Sequence, residues 1–219
     1  MQKKIYLIIA VVFISCATYL GKSDQLINYV DPFIGSGGHG HVFVGANVPF
    51  GGVQVGPTNF NKGWDWSSSY HHTDSIVKGF CHINVSGTGM SDLGELTIMP
   101  ATGKLMTGAG TQNNHMAGYS SLYYKDKEHA SVGYYKVHLE RYDIDVELTA
   151  TERVGLHKYR FPKSDQSRVI IDLGEGSADR PTETYLKKIN DTLFQGYRFS
   201  SGWARDQREY FSLIISKPV

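Results

Sequence analysis

The sequence has little that would staple a fold, charge it or order it helically. With two cysteines in 219 residues, Cys16 and Cys81, no disulfide framework is available. Charge of one sign is also missing: 22 Lys and Arg stand against 21 Asp and Glu, which removes the electrostatic basis for binding nucleic acid. No segment sustains a helical apolar period over three turns, no H-E-x-x-H or paired-cysteine zinc pattern occurs, and no internal repeat is visible. The one long apolar run, Ile5 to Ile14, is too short to span a membrane.

That run has a different meaning. Lys3 and Lys4 precede it and Ser15-Cys16-Ala17 follow it, the order of an export signal. Phe13-Ile14-Ser15-Cys16 resembles a bacterial lipobox, so residues 1–15 are expected to be removed and Cys16 lipidated as the first mature residue. Residues 16–27 then read as a short linker, and residues 28–219 as one domain. Loss of Lys3 and Lys4 takes the formal charge from +1 to −1. The expected location is the periplasm or outer-membrane surface, with the lipid as the only membrane contact. Cys81 is left without a thiol partner and reads either as a nucleophile beside His82 or, more in keeping with its apolar neighbours, as a small buried side chain.

What is present is alternation. In Tyr142-Asp143-Ile144-Asp145-Val146-Glu147-Leu148 the apolar and acidic residues take opposite faces, as a half-buried strand requires. Thr151 to Phe161, Val169 to Leu173 and Tyr210 to Ile215 read as further strands, and Asn190-Asp191 between Leu186–Asn190 and Leu193–Phe199 reads as a hairpin turn. Only Thr182 to Lys188 suggests a helical turn or two. The fold class is all-β, a large antiparallel β-sandwich, with Thr107 to Gly118 as a solvated loop.

Residues 35–94 hold 13 of 24 glycines, 5 of 9 histidines and 2 of 3 tryptophans, with 5 charged side chains. Loops of this composition suit a neutral, polar, ring-shaped ligand such as a sugar, and they are expected along one face or edge of the sandwich. Gly35-Ser36-Gly37-Gly38-His39-Gly40 fits G-x-G-x-x-G, but no helix follows to receive a pyrophosphate. His39, His41, His71, His72, Asp74 and His82 are conceivable metal ligands without a recognised ligand spacing, and a metal-dependent enzyme is the reading they would support. In an extended Gly63-Trp64-Asp65-Trp66 both indoles share one face and Asp65 points away; the alternative leaves one Trp in the core and one exposed. Asp92 and Glu95 read as turn and strand residues, not as an acid/base pair.

Several separated motifs carry a resemblance. Tyr29-Val30-Asp31-Pro32-Phe33-Ile34-Gly35-Ser36-Gly37-Gly38-His39-Gly40-His41, Val48-Pro49-Phe50-Gly51, Gly63-Trp64-Asp65-Trp66 with Tyr70-His71, and Ser86-Gly87-Thr88-Gly89 with Ser91-Asp92-Leu93-Gly94 are similar to the amino-terminal domain of glycoside hydrolase family 92. Glu147 to Thr151 and Arg153, Gly155, His157 and Tyr159 continue the pattern; Val44, Gly52 and Met90 depart from the family's usual Pro, Met and Cys. The resemblance implies an exo-acting, inverting, calcium-dependent α-mannosidase of α-1,2-mannosidase type, whose sandwich packs on an (α/α)6 barrel. The catalytic carboxylates and calcium ligands are expected in that barrel, which is expected to be missing here, so the sandwich is incomplete at its carboxy-terminal end and inactive alone. His39, Gly40, Trp64 and Trp66 are the implied sugar-binding residues, mannose-containing glycans the implied ligands, and no cofactor is expected within this chain. A free-standing surface glycan-binding protein is the other reading of the same residues.

Overall fold

A computed structural model describes residues 26–219, so the export signal, the Cys16 lipidation site and most of the 16–27 linker lie outside the described residues. The chain divides into two units at Asp31/Pro32. Of the first, the described part holds a single 3-10 turn, Ile27–Tyr29. The second is all-β, and every strand pairing in it is antiparallel.

One sheet runs in the order Ala46–Asn47, Gln54–Thr58, Gly79–Cys81, Thr97–Ala101, Arg168–Asp172. The other is a meander in the order Gly155–Arg160, Ile144–Ala150, Tyr134–Leu139, Glu128–Ser131. Ile144, Val146, Leu148 and Ala150 turn inward while Asp145, Glu147 and Thr149 turn outward, the alternation that the sequence displays. Inward they join Tyr135, Val137 and Leu139 of the meander and Val55, Phe80 and Met99 of the five-stranded sheet in one core. Each such fully buried aliphatic or aromatic side chain stabilises the fold by roughly 1.5–3 kcal/mol. Outward, Lys136 lies opposite Glu147 in the register, and His138 lies 2.9 Å from the Asp145 carboxylate, so opposite charges meet across the strands on the wet face.

Three expectations are revised. Residues 35–94 do not only furnish loops: Gln54–Thr58 and Gly79–Cys81 are central strands, buried on both faces because sheet and loops cover them. The strand expected from Thr151 to Phe161 is interrupted by a turn, closed by the Thr151 N–H on the Val154 carbonyl at 2.9 Å, and resumes at Gly155. Thr182 to Lys188 is no helix but part of the strand Arg180–Lys188. Its Thr and Tyr side chains favour extended backbone, and Tyr185 stacks on Tyr197 of the neighbouring strand at 5.4 Å. The Asn190-Asp191 hairpin forms as expected, Asn190 Oδ1 accepting the Thr192 and Leu193 amides at 2.9 Å each.

That hairpin belongs to a three-stranded sheet, Arg180–Lys188, Leu193–Ser201 and Gln207–Ile214. A fully buried Arg198 ties it down, donating to Glu95 Oε1 at 3.0 Å, to Asp179, and to the Leu173 carbonyl at 2.9 Å. Asp92 accepts from Gln207 Nε2 at 2.8 Å. Asp92 and Glu95 therefore hold strands together, consistent with their turn-and-strand reading. Cys81 is buried, 2.8 Å from the Thr58 hydroxyl, and burial pushes its thiol up to about 11, the state of a packing residue and not of a nucleophile.

Candidate sugar-contact site

Asn61 starts the site. Its side-chain carbonyl accepts the Gly63 amide at 2.8 Å, and Gly63 takes φ 113°, a turn that sends the chain into a 3-10 segment, Trp64–Trp66, rather than a strand. The Trp66 amide donates to Gly63 and the Ser67 amide to Trp64, closing the turn. A helical turn spreads successive side chains around an axis, so the two tryptophans separate.

Trp66 turns inward. Its Nε1–H donates to Asp74 Oδ2 at 2.9 Å, and its ring stacks on His71 at 4.3 Å with 26° between planes. Lys62 lies 2.8 Å from the same Asp74 oxygen and 5.2 Å from the indole centroid. His71 in turn reaches the Gly38 carbonyl through Nε2 at 3.2 Å. Trp66 thus fastens the 35–42 loop to the Trp turn, and its polar atom is spent on that.

Trp64 is 56% exposed. One edge rests on His41 (4.3 Å, 87°), the His39 ring lies tilted at 5.2 Å, and Gly89 lies under Nε1, where an added Cβ would come within 3.0 Å. Loops 35–42, 61–67 and 86–91 converge here; the Gly87 amide donates to the His41 carbonyl at 2.7 Å and Asn61 Nδ2 to the Ser91 hydroxyl at 3.1 Å. His39 Nδ1 lies 2.5 Å from Asp65 Oδ1, and His41 Nε2 lies 3.8 Å from the same oxygen. The hydrogen bond from His39, helped by the neighbouring imidazoles, holds the Asp65 carboxyl below its ordinary range.

The structure brings His39 and Trp64 together, leaves Gly40 next to His39 in the same loop, and turns Trp66 to Asp74 and His71. Gly40 is exposed, and a Cβ there would sit 2.0 Å from the Gly35 carbonyl oxygen, so packing within the loop demands the glycine. Asp65 is the residue that the extended reading of Gly63-Trp64-Asp65-Trp66 turns away from the site, and His41, a conceivable metal ligand from the sequence, joins it against Trp64. The arrangement offers an exposed indole face beside imidazole nitrogens, apolar platform and hydroxyl partner in one place. The site is an open surface. A depression of about 350 Å³ on the three-stranded sheet, lined by Gln195, Gly196, Tyr210, Phe211 and Ser212, shares none of its residues.

The histidines do not form a metal centre. Among the described residues no group of three or more His, Cys, Asp or Glu is arranged to hold a metal ion. His82, one of the candidate ligands, instead pairs with His157, Nε2 to Nε2 at 3.0 Å, with the rings stacked at 4.8 Å. The acidic residues Asp92, Glu95 and Asp179 gather around Arg198 and its strand, where a guanidinium already supplies the positive charge, so calcium does not fit them.

The glycosyl hydrolase family 92 N-terminal domain matches residues 29–219. Among solved structures, the family GH92 alpha-mannosidase BT3965 from Bacteroides thetaiotaomicron, determined in complex with mannoimidazole, aligns with a TM-score of 0.86 and 36% identity. The alignment covers 88% of this chain and 25% of that one. The family GH92 inverting mannosidase BT2199 from B. thetaiotaomicron VPI-5482 aligns at a TM-score of 0.70 and 23% identity over 88% of this chain and 25% of that one, a likeness of fold alone. An uncharacterized secreted glycosidase from Arthroderma benhamiae is 26% identical over 79% of this chain and 24% of its own length. The chain spans about a quarter of the length of these relatives.

Proposed function

The chain belongs to the glycosyl hydrolase family 92 N-terminal domains, and on that premise we propose that it forms one wall of a mannoside site in an exported, lipid-anchored α-mannosidase. The wall is His39 and Trp64. A pyranose presents C–H groups on one face, which stack on an exposed indole, while its rim hydroxyls bond to an adjacent imidazole nitrogen. Carbohydrate in a glycosidase site is held by such contacts without any proton transfer from them, so the wall supplies orientation and affinity, not chemistry. Inverting hydrolysis needs two carboxyl groups on either side of the bond with room for a water. In this reading those groups, the α-1,2 preference and the calcium belong to residues outside this chain.

The observation that carries the reading is the exposed Trp64 ring beside His39, in a turn whose other tryptophan is half-buried and bonded to Asp74. NMR titration of the chain with methyl α-mannoside is expected to shift the Trp64 indole N–H and leave that of Trp66 in place, and Trp64→Ala is expected to abolish binding. Absence of any shift at Trp64 would overturn the wall assignment. Incubation with α-1,2-mannobiose and calcium is expected to give no product; turnover by the chain alone would refute the placement of both carboxylates elsewhere.

A further inference from the structure

The Trp turn exposes a carboxylate between two imidazoles, and the wall described above makes no use of it. Asp65 Oδ1 lies 2.5 Å from His39 Nδ1. A carboxylate only accepts, so Nδ1 of His39 carries the hydrogen, and in the neutral ring Nε2 then keeps its lone pair. The His39 side chain is 75% exposed, and among the described residues no other hydrogen bond restrains its ring. His41 is buried in a left-handed conformation (φ 54°), its Nε2 3.8 Å from the same oxygen and, among the described residues, without a hydrogen-bond partner. Trp64 packs against both rings. One carboxylate thus sits at the centre of the three aromatic groups of the site.

We propose that Asp65 is a positioning residue: it fixes His39 as the Nδ1–H tautomer in one orientation, so that Nε2 offers a lone pair to a hydroxyl of the sugar lying on Trp64. This rests on the mannoside-wall reading for its ligand but not for its tautomer. An exposed imidazole without such a partner samples both tautomers and several rotamers, and a ligand must then offset the loss of that freedom. Asp65 has ordered the ring before the sugar arrives. The lone pair also sets polarity, accepting from a neutral sugar O–H, while the carboxylate behind it disfavours anionic sugars.

Two readouts on the ¹⁵N-histidine-labelled chain test this. Long-range ¹H–¹⁵N spectra are expected to show His39 protonated on Nδ1 in the wild type and redistributed toward Nε2–H in Asp65→Ala. Methyl α-mannoside affinity is expected to fall about tenfold in Asp65→Ala, the loss carried by one ordinary hydrogen bond, with partial recovery in Asp65→Glu. An Nε2–H tautomer in the wild type overturns the proposal whatever the ligand does. So does a variant that binds the mannoside as tightly as the wild type. Correct tautomer behaviour with no mannoside binding by the wild type refutes the wall reading and the sugar half of the proposal together. An unchanged Trp66 indole signal identifies a folded variant.

Discussion

The His82–His157 pair makes the stability of the sandwich depend on pH in a way that can be isolated. His82 Nδ1 donates to the Leu96 carbonyl at 2.9 Å, which leaves its Nε2 an acceptor. His157 must then donate through Nε2 at 3.0 Å, and its Nδ1 accepts from the Tyr159 hydroxyl at 2.7 Å. Both rings are neutral in this chain of bonds. Burial holds His82 below the usual imidazole value of 6.5 and His157 well below it, the latter also through the neighbouring ring. A depressed folded pKa gives stability that is complete above the unfolded value and is lost as pH falls below it. Between pH 7.5 and 5.5 an unfolded imidazole takes up most of a proton, so a ring that stays neutral when folded, as His157 does, loses about 1.3 kcal/mol, and His82 adds to the loss in the same direction. Glu209 works against this in the same window: burial and the adjacent Glu95 push its carboxyl up to about 8, so its penalty grows as pH rises. The diagnostic quantity is therefore a difference between proteins. His157→Leu removes one titrating ring and orphans His82 Nε2, costing about 1–3 kcal/mol at pH 7.5. At pH 5.5 the gap to wild type is expected to narrow by about 1.3 kcal/mol, because only the wild type still carries the second ring's penalty. Urea unfolding at the two pH values measures it. A gap that stays constant or widens refutes the neutral-pair reasoning.

Gly40→Ala is expected to destabilise the chain by roughly 1–3 kcal/mol in urea without any ligand, since its Cβ would strike the Gly35 carbonyl oxygen at 2.0 Å; unchanged stability would mean the loop yields freely. Trp66→Phe is expected to cost about 1–3 kcal/mol through loss of the 2.9 Å bond to Asp74, whereas Trp64→Ala, at an exposed position, should stay within about 0.5 kcal/mol of wild type. Equal losses in thermal or urea unfolding would contradict the division of labour between the two rings.

The fold was legible where one strand carries its own pattern. The Ile144–Ala150 alternation and the Asn190-Asp191 turn are local facts, and the structure keeps both. What escaped depends on partners far along the chain. Glu95 meets Arg198 103 residues later, and His82 meets His157 75 residues later; neither acid nor imidazole announces its partner. Thr182 to Lys188 carries residues that tolerate a helical turn, but pairing with Leu193–Ser201 decides for strand. At the site the segment Trp64 to Trp66 is not extended, because an Asn61 side chain and a positive φ at Gly63 set a turn just upstream, and the alternative of one exposed and one packed Trp holds. Of the four sugar-binding candidates, His39 and Trp64 share a surface, while Gly40 and Trp66 also carry contacts that shape the loops around it.

The glycine richness of residues 35–94 divides in the same way, and the division bears on where the ligand surface lies. At Gly56 and Gly79 a Cβ would meet the Val44 carbonyl at 2.3 Å and Thr97 Cγ2 at 2.5 Å, so these glycines exist for the approach of one strand to its neighbours. Gly63 and Gly87, at φ 113° and 74°, have no atom within 4 Å of an added Cβ. They are required by backbone conformation, and they lie in two of the loops that converge on Trp64. Composition alone counts both kinds as evidence of a ligand. Only the second kind leaves open space, and it does so beside the exposed indole, so the surface available to a sugar is narrower than the glycine-rich stretch and centred on Trp64.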